Sequence, residues 1–424
     1  MERKIEIFFK KWKKEGQKKP LIIYGPKQIG KTFSVLKFAK AEYKNYCYFN
    51  TDNNHEIIEL FKKEKSQEKI IMNLSMISGE TILEEDTLII FDNLSNIDIV
   101  KGLKLFSNEK NKYHIISITT RRSLLKEFKA EELQFKGMNE LDFEEYLIAH
   151  DEKELAELIK ESYTKRKTCP FHKLALDLFH KYLITGGMPE VIQAELNGYD
   201  EYQMDAIKQK ILDVYKKEVI YNKALIDIPR SSEVLDSVPE QLKKKNKKFQ
   251  YGTIKQGTRK KEYETSIEYL VDNQLLYRSY KISNVKSPLT SCREKDSFKL
   301  FIPDDGLLFT MLHLNYKKFL LDENLKEIIY ENHIAKTLTE AGYSLFYYQS
   351  EGKAELNFVV QDRMGVIIPI ELTIKKDAKA KSLSVFMSKF TVPQGIRVTE
   401  NNFQTKKDIR YIPIYAMFTL NEVK

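Results

Sequence analysis

The chain is predicted to be an α/β protein whose first third is a parallel sheet built around a phosphate-binding loop. Three observations predict this. Residues 21–32 read LIIYGPKQIGKT, a short apolar run followed by G-x-x-x-x-G-K-T. Residues 87–93 read TLIIFDN, a second apolar run closed by an acid. Around them, short β-rich runs alternate with helical patterns, as in a sheet covered on both faces.

Leu21, Ile22, Ile23 and Tyr24 form the expected strand, and residues 32–40 the expected helix. Between them Gly25, Pro26, Lys27, Gln28, Ile29, Gly30, Lys31, Thr32 and Phe33 make a cradle for phosphates. Its N–H groups converge at a helix start, where the helix dipole favours negative charge. Gly25 and Gly30 permit backbone geometry that a Cβ would block. Lys31 reaches the β- and γ-phosphates, and Thr32 offers its hydroxyl to Mg²⁺.

Further strands are expected at 46–50, 87–91 and 113–119. One strand lies between the phosphate loop and TLIIFD, and another follows it. That order fits the P-loop class in which extra strands separate the loop from the metal-binding strand. Asp92 ends the TLIIFD strand and holds Mg²⁺ directly or through water. A hydrolytic enzyme of this class carries Glu next, to deprotonate the attacking water. This chain carries Asn93, which hydrogen-bonds water but cannot take its proton. Losing such a base costs about 10²–10⁴ in rate, unless another acid such as Glu84 or Glu85 substitutes. Thr119 and Thr120 stand at the end of the following strand, where a sensor hydroxyl belongs, and Arg121 or Arg122 is in reach of a γ-phosphate.

Residues 138–225 are helical in pattern, broken by a Gly186-Gly187-Met188-Pro189 turn, with a helix restarting at Glu190. Residues 226–292 read as helix, basic turn, helix and an alternating run, a small winged-helix-like pattern. Residues 293–424 return to mixed α/β, with a helix at 325–341 and strands at 345–348, 355–360, 366–372 and 412–418. The domain division expected is therefore 1–137, 138–225, 226–292 and 293–424.

An apolar content of 42% is enough for real cores, and 24 Phe with 24 Tyr argue against disorder. Cys47, Cys169 and Cys292 are too far apart for a metal knuckle or a disulfide framework, which fits a reducing cytoplasm. No apolar run is long enough to span a bilayer. The start, MERKIEIFFKKWKKEG, reads as a first helix packed on the domain, with Trp12 as a packing residue. The net charge of +9 is concentrated. Lys243, Lys244, Lys245, Lys247, Lys248, Lys255, Arg259, Lys260 and Lys261 supply nine positive charges with no acid among them, so the remainder of the chain balances to zero. Such a local patch points to a polyanion partner, DNA or RNA.

From Lys19 to about Leu420 the chain resembles the bacterial and archaeal AAA-type ATPases that carry a C-terminal domain of unknown function with a restriction-endonuclease-like fold. GPKQIGKT and TLIIFDN carry the resemblance at the start. NELDFEEYL, HKYLITGGMPEVI, NKKFQYGTIKQGTRKKEYETSIEYL and SFKLFIPDDGLL follow in the same order as in that family. The resemblance implies ATP with Mg²⁺ as cofactors, a helical lid after the P-loop sheet, and a prokaryotic, cytoplasmic protein that can assemble into oligomers. It also implies a C-terminal nuclease-like site at Glu331, Glu355, Asn357, Glu371 and Thr373. The family has Asp where this chain has Asn357, and Lys where it has Thr373, so an inactive site is expected. A basic residue usual just before LDFEEYL is replaced near Glu132, and an acid there repels a neighbouring γ-phosphate.

Two functions follow as expectations. The first is an ATP-binding switch or regulator with weak or absent hydrolysis, read by a protein partner that the sequence does not identify. The second is an active ATPase coupled to DNA or RNA through the basic, winged-helix-like region.

Overall fold

A computed structural model describes residues 1–15, 19–52, 54–108, 110–220, 229–350, 355–374 and 381–422. The expected division between residues 225 and 226 lies outside the described residues. The chain forms two compact units, Met1–Glu140 with Asp272–Gln274, and Leu141–Val271 with Leu275–Lys424.

The first unit opens with α1 (Lys4–Lys14), followed by β1 (Leu21–Tyr24), α2 (Lys31–Glu42), β2 (Asn45–Asn50), α3 (His55–Lys63), α4 (Gln67–Ser78), β3 (Thr87–Asp92), α5 (Ile97–Leu103), β4 (His114–Thr119) and β5 (Gln134–Gly137). The amphipathic start folds as α1, which buries Ile5, Phe9 and Trp12. All five strands run parallel in the order β2-β3-β4-β1-β5. β3 and β4 are buried along their whole length, which is why TLIIFD and HIISIT read as continuous runs rather than alternations. Ile22, Phe49, Phe61, Ile89, Phe91 and Ile115 sit in one hydrophobic cluster of this unit. The edge strand β5 is short and half-buried, so its sequence carries no apolar run to announce it.

The second unit begins with α6 (Phe143–Ala149), α7 (Lys153–Lys165), α8 (His172–Thr185), α9 (Pro189–Leu196), α10 (Glu201–Ile220), α11 (Pro229–Leu242) and α12 (Lys260–Asp272). It continues with β6 (Tyr277–Ile282), β7 (Arg293–Phe301), α13 (Asp305–Met311), α14 (Tyr316–Leu321), α15 (Glu323–Glu340), β8 (Leu345–Gln349), β9 (Glu355–Gln361), β10 (Ile367–Leu372), α16 (Lys381–Phe390), β11 (Gly395–Thr399), β12 (Gln404–Lys406) and β13 (Ile409–Pro413). The eight strands form one mixed sheet, β12-β13-β11-β10-β9-β8-β6-β7. The hairpin β6–β7 that follows α12 thus belongs to this sheet. The run at 412–418, expected as a strand, is strand only to Pro413 and continues as a 3₁₀ helix from Ile414 to Glu422. Tyr415, Ala416 and Met417 are all fully buried; an apolar run of that length does not distinguish a strand from a buried helix.

The sequence motifs of this unit have structural roles. In LDFEEYL, Asp142 and Glu145 form a reciprocal capping box at the start of α6. Gly186 ends α8 at φ +81°, and a Cβ there would lie 2.3 Å from a carboxylate oxygen of Asp304. A Cβ on Gly306 would lie 2.5 Å from the carbonyl oxygen of Thr185. The Gly-Gly and Asp-Asp-Gly motifs therefore dock backbone against backbone. Buried Asp304 accepts N–H groups from Gly187 at 2.6 Å and Leu307 at 2.8 Å. Beside it, buried Asp305 pairs with His333 at 2.8 Å, and buried Lys336 donates to the Tyr182 hydroxyl at 2.8 Å.

Candidate nucleotide-binding site

β1 delivers the chain to the phosphate-binding loop, and α2 takes it away. Gly25 stands at φ +154°, and a Cβ on it would lie 2.2 Å from the Met138 carbonyl oxygen. Gly30 stands at φ +87° immediately before α2. Both positions need glycine for reasons visible in the geometry. Lys31 is buried, and its Nζ donates to the carbonyl oxygens of Gly25, at 2.9 Å, and Pro26. Gln28 and Phe33 are exposed.

The sheet order brings β3 within reach of this loop, with β4 between β1 and β3. Thr32 Oγ1 donates to Asp92 Oδ2 at 2.8 Å. The Tyr48 hydroxyl donates to the same oxygen at 2.8 Å, and the Asn93 N–H donates to Oδ1 at 2.8 Å. Burial and the bond to Asp92 push the Tyr48 phenol up to about 12, so it remains a donor at neutral pH. A hydroxyl and a carboxylate in contact beside converging N–H groups are the donor set that Mg²⁺ with a triphosphate requires, so the residues present fit that cofactor. Asn93 adopts φ +57°, and its amide nitrogen donates to Asn50 Oδ1 at 3.2 Å.

The other sequence-derived positions fall as follows. Thr119 donates its hydroxyl to the Leu94 carbonyl at 2.6 Å and serves the loop after β3. Thr120 is half-buried just beyond β4. Arg122 places its guanidinium 5.3 Å from the ring centroid of Tyr24, the residue before Gly25. Glu132 pairs with Lys104 at 2.8 Å, and that bond lowers its carboxyl pKa. Glu84 and Glu85, expected as alternative acids, lie away from Asp92. They precede β3, whereas Asp92 ends it, and six strand residues separate the two ends by about 20 Å. Tyr48 and Asn50 were not singled out from sequence. Their signal is the alternation in NYCYFN, where Cys47 and Phe49 face inward and Tyr48 and Asn50 share the other face.

The second unit's expected nuclease positions are occupied by internal ion pairs. Glu331, fully buried on α15, receives Lys247 at 2.6 Å and Lys299 at 3.0 Å. Lys299 also lies 3.4 Å from Glu355, and Lys247 lies 3.1 Å from Glu327. Burial alone would raise the Glu331 carboxyl, but the two ammonium groups outweigh it and hold it at about 2. Asn357 accepts the Leu372 N–H at 2.9 Å. Arg397 Nε lies 3.2 Å from Glu371 and 3.0 Å from the Thr373 hydroxyl. Two lysines and an arginine lie against these carboxylates, and no cluster of three or more His, Cys, Asp or Glu placed to hold a metal ion occurs among the described residues. The Glu371 Oε2 is buried without a hydrogen bond, and burial raises its carboxyl despite Arg397.

The basic segment is similarly divided. Lys247 is consumed by Glu331 and Glu327; Lys260 pairs with Asp296 and Glu264, and Lys243 with Glu240. Lys244 donates to Gln250 and Thr253. Lys245, Lys255, Arg259 and Lys261 are exposed, and Lys248 is half-buried.

Comparison with known proteins agrees with the first unit's geometry. Residues 17–147 match the family model described as AAA domain. Residues 176–318 match Domain of unknown function (DUF8612), and residues 326–417 match Domain of unknown function (DUF4143). No curated protein matches the chain. Among solved structures, a Walker-type ATPase of Pyrococcus abyssi is similar over 73% of this chain and 95% of its own, at 12% identity and a TM-score of 0.41. A signal transduction ATPase with numerous domains, carrying a tetratricopeptide repeat sensor, from Pyrococcus horikoshii is similar over 80% of this chain, at 15% identity and a TM-score of 0.31. This chain spans 45% of that protein's length. The parallel sheet and G-x-x-x-x-G-K-T loop of the first unit agree with the match to the AAA domain model. No helix among the described residues is long and apolar enough to cross a membrane.

Proposed function

We propose that the chain binds ATP with Mg²⁺ and hydrolyses it slowly or not at all, acting as a nucleotide-dependent switch or regulator. Lys31 and the loop amides hold the phosphates, and Thr32 and Asp92 hold the ion. The metal neutralises phosphate charge when bound. The observation that carries this reading is Asn93, an amide bonded to Asn50 at the place where a hydrolytic carboxylate belongs. Stable ATP occupancy then gives a long-lived state for a protein partner to read. The test is Asn93→Glu: with the cradle intact, steady-state ATP turnover rises by about 10²-fold or more. No rise would remove the lesion on which the reading depends.

A second reading is an active ATPase coupled to DNA or RNA through the winged-helix-like region. The exposed Lys245, Lys255, Arg259 and Lys261 favour it. Backbone-dominated binding by these residues predicts duplex affinity that falls steeply between low and moderate salt; binding that ignores salt, or no binding, counts against it. The strand order β8-β9-β10, followed by α16 and parallel β11, supports an endonuclease-like C-terminal domain. The ion pairs at Glu331 and Glu371 support its being inactive.

A further inference from the structure

We propose that Arg3 is a positioning residue for nucleotide binding, tying the phosphate-binding loop to the segment by which the chain leaves the first unit. This rests on the reading that the loop takes ATP. Arg3 is buried at the start of α1. Its Nη1 donates to the Ile29 carbonyl oxygen at 2.9 Å, inside the loop. Its Nη2 donates to the Asn139 carbonyl oxygen at 2.7 Å, 110 residues further along the chain.

Geometry fixes both ends of this bridge. α1 is anchored by buried Ile5, Phe9 and Trp12, and Glu6 pairs with Lys37 of α2 at 2.8 Å. On the far side, the Met138 N–H donates to the Tyr24 carbonyl at 2.9 Å, and Gly25 lies against the Met138 carbonyl. The loop is thus flanked by residues 138–139 along one side, with one guanidinium holding both. In a trans peptide the C=O and the following N–H point in opposite directions. With the Ile29 oxygen drawn to Arg3, the Gly30 N–H is turned away from Arg3. A buried guanidinium must keep its hydrogen bonds, so movement of the Ile29 carbonyl when the loop closes on phosphate is passed to Asn139. The second unit begins two residues later, at Leu141.

The test uses the full chain, with Arg3→Ala and Arg3→Lys. A fluorescent Mg-ATP analogue gives affinity, and hydrogen exchange with and without Mg-ATP reports the amides of residues 138–141. Wild type binds the analogue, and Mg-ATP slows exchange at 138–141. Arg3→Ala binds about 10- to 100-fold more weakly, as expected for losing two charge-assisted bonds. At saturating nucleotide it no longer protects 138–141. Arg3→Lys recovers part of the affinity. If Arg3→Ala does not fold, Arg3→Lys carries the decision: reduced affinity with reduced protection supports the proposal. Wild-type affinity and protection in a folded variant overturn it while leaving the functional reading standing. Failure of wild type to bind Mg-ATP overturns both.

Discussion

Asn93 is one methylene shorter than Glu and ends in an amide, and only a carboxylate can accept a proton from water. Around it Asp92 accepts Thr32, Tyr48 and its neighbour's N–H. Asn93→Glu therefore restores the proton-accepting group that the proposed reading finds missing. Gly25 makes the complementary prediction. A Cβ there meets a backbone carbonyl, not a flexible side chain that could step aside. Gly25→Ala should weaken Mg-ATP binding at least tenfold and destabilise the first unit by about 1–3 kcal/mol, measured by nucleotide titration and thermal melting. Unchanged binding would mean that the loop tolerates a different path past Met138. Lys31, Thr32 and Asp92 were legible because the motif is contiguous or ends an apolar strand. Tyr48 and Asn50 left only the alternation in NYCYFN, and Arg3 no local trace, because sheet order and α1 packing bring them to the site.

Among the elements, α15 shows most plainly why charge counts mislead. Lys247 belongs to a run of nine basic residues, yet it is buried and held by Glu331 and Glu327. Glu331 likewise looked like a metal ligand and is a counter-ion. Its folded pKa of about 2 lies below the ordinary value of 4.5. A depressed carboxyl contributes stability that is present above pH 4.5 and lost as pH falls toward 2, about 3 kcal/mol in all. Wild type should therefore lose stability through that window, and Glu331→Gln should start less stable at pH 7 and lose less on acidification. Denaturant melts at pH 7, 4 and 2.5 check this; parallel losses in both proteins would contradict it. The helices α8 and α15 were read from periodicity. β5 and β11 were missed because short or wholly buried strands lack alternation, and the end of the chain was misread because burial on all sides erases the period that separates strand from helix.

For the whole molecule, the match to the AAA domain model covers residues 17–147, and the second unit matches domains of unknown function. Its expected nuclease positions carry lysine and arginine partners at Glu331 and near Glu371. The Gly-Gly-Met-Pro and Asp-Asp-Gly motifs hold backbones together. The central claim is that bound ATP persists. Single-turnover hydrolysis tests it most directly, with protein in excess over labelled Mg-ATP and Lys31→Ala as the control. Wild type retains uncleaved ATP for many minutes while Lys31→Ala retains none. Conversion to ADP at an ordinary enzymatic rate, on the order of 1 s⁻¹ or faster, would contradict it and make the chain a working ATPase.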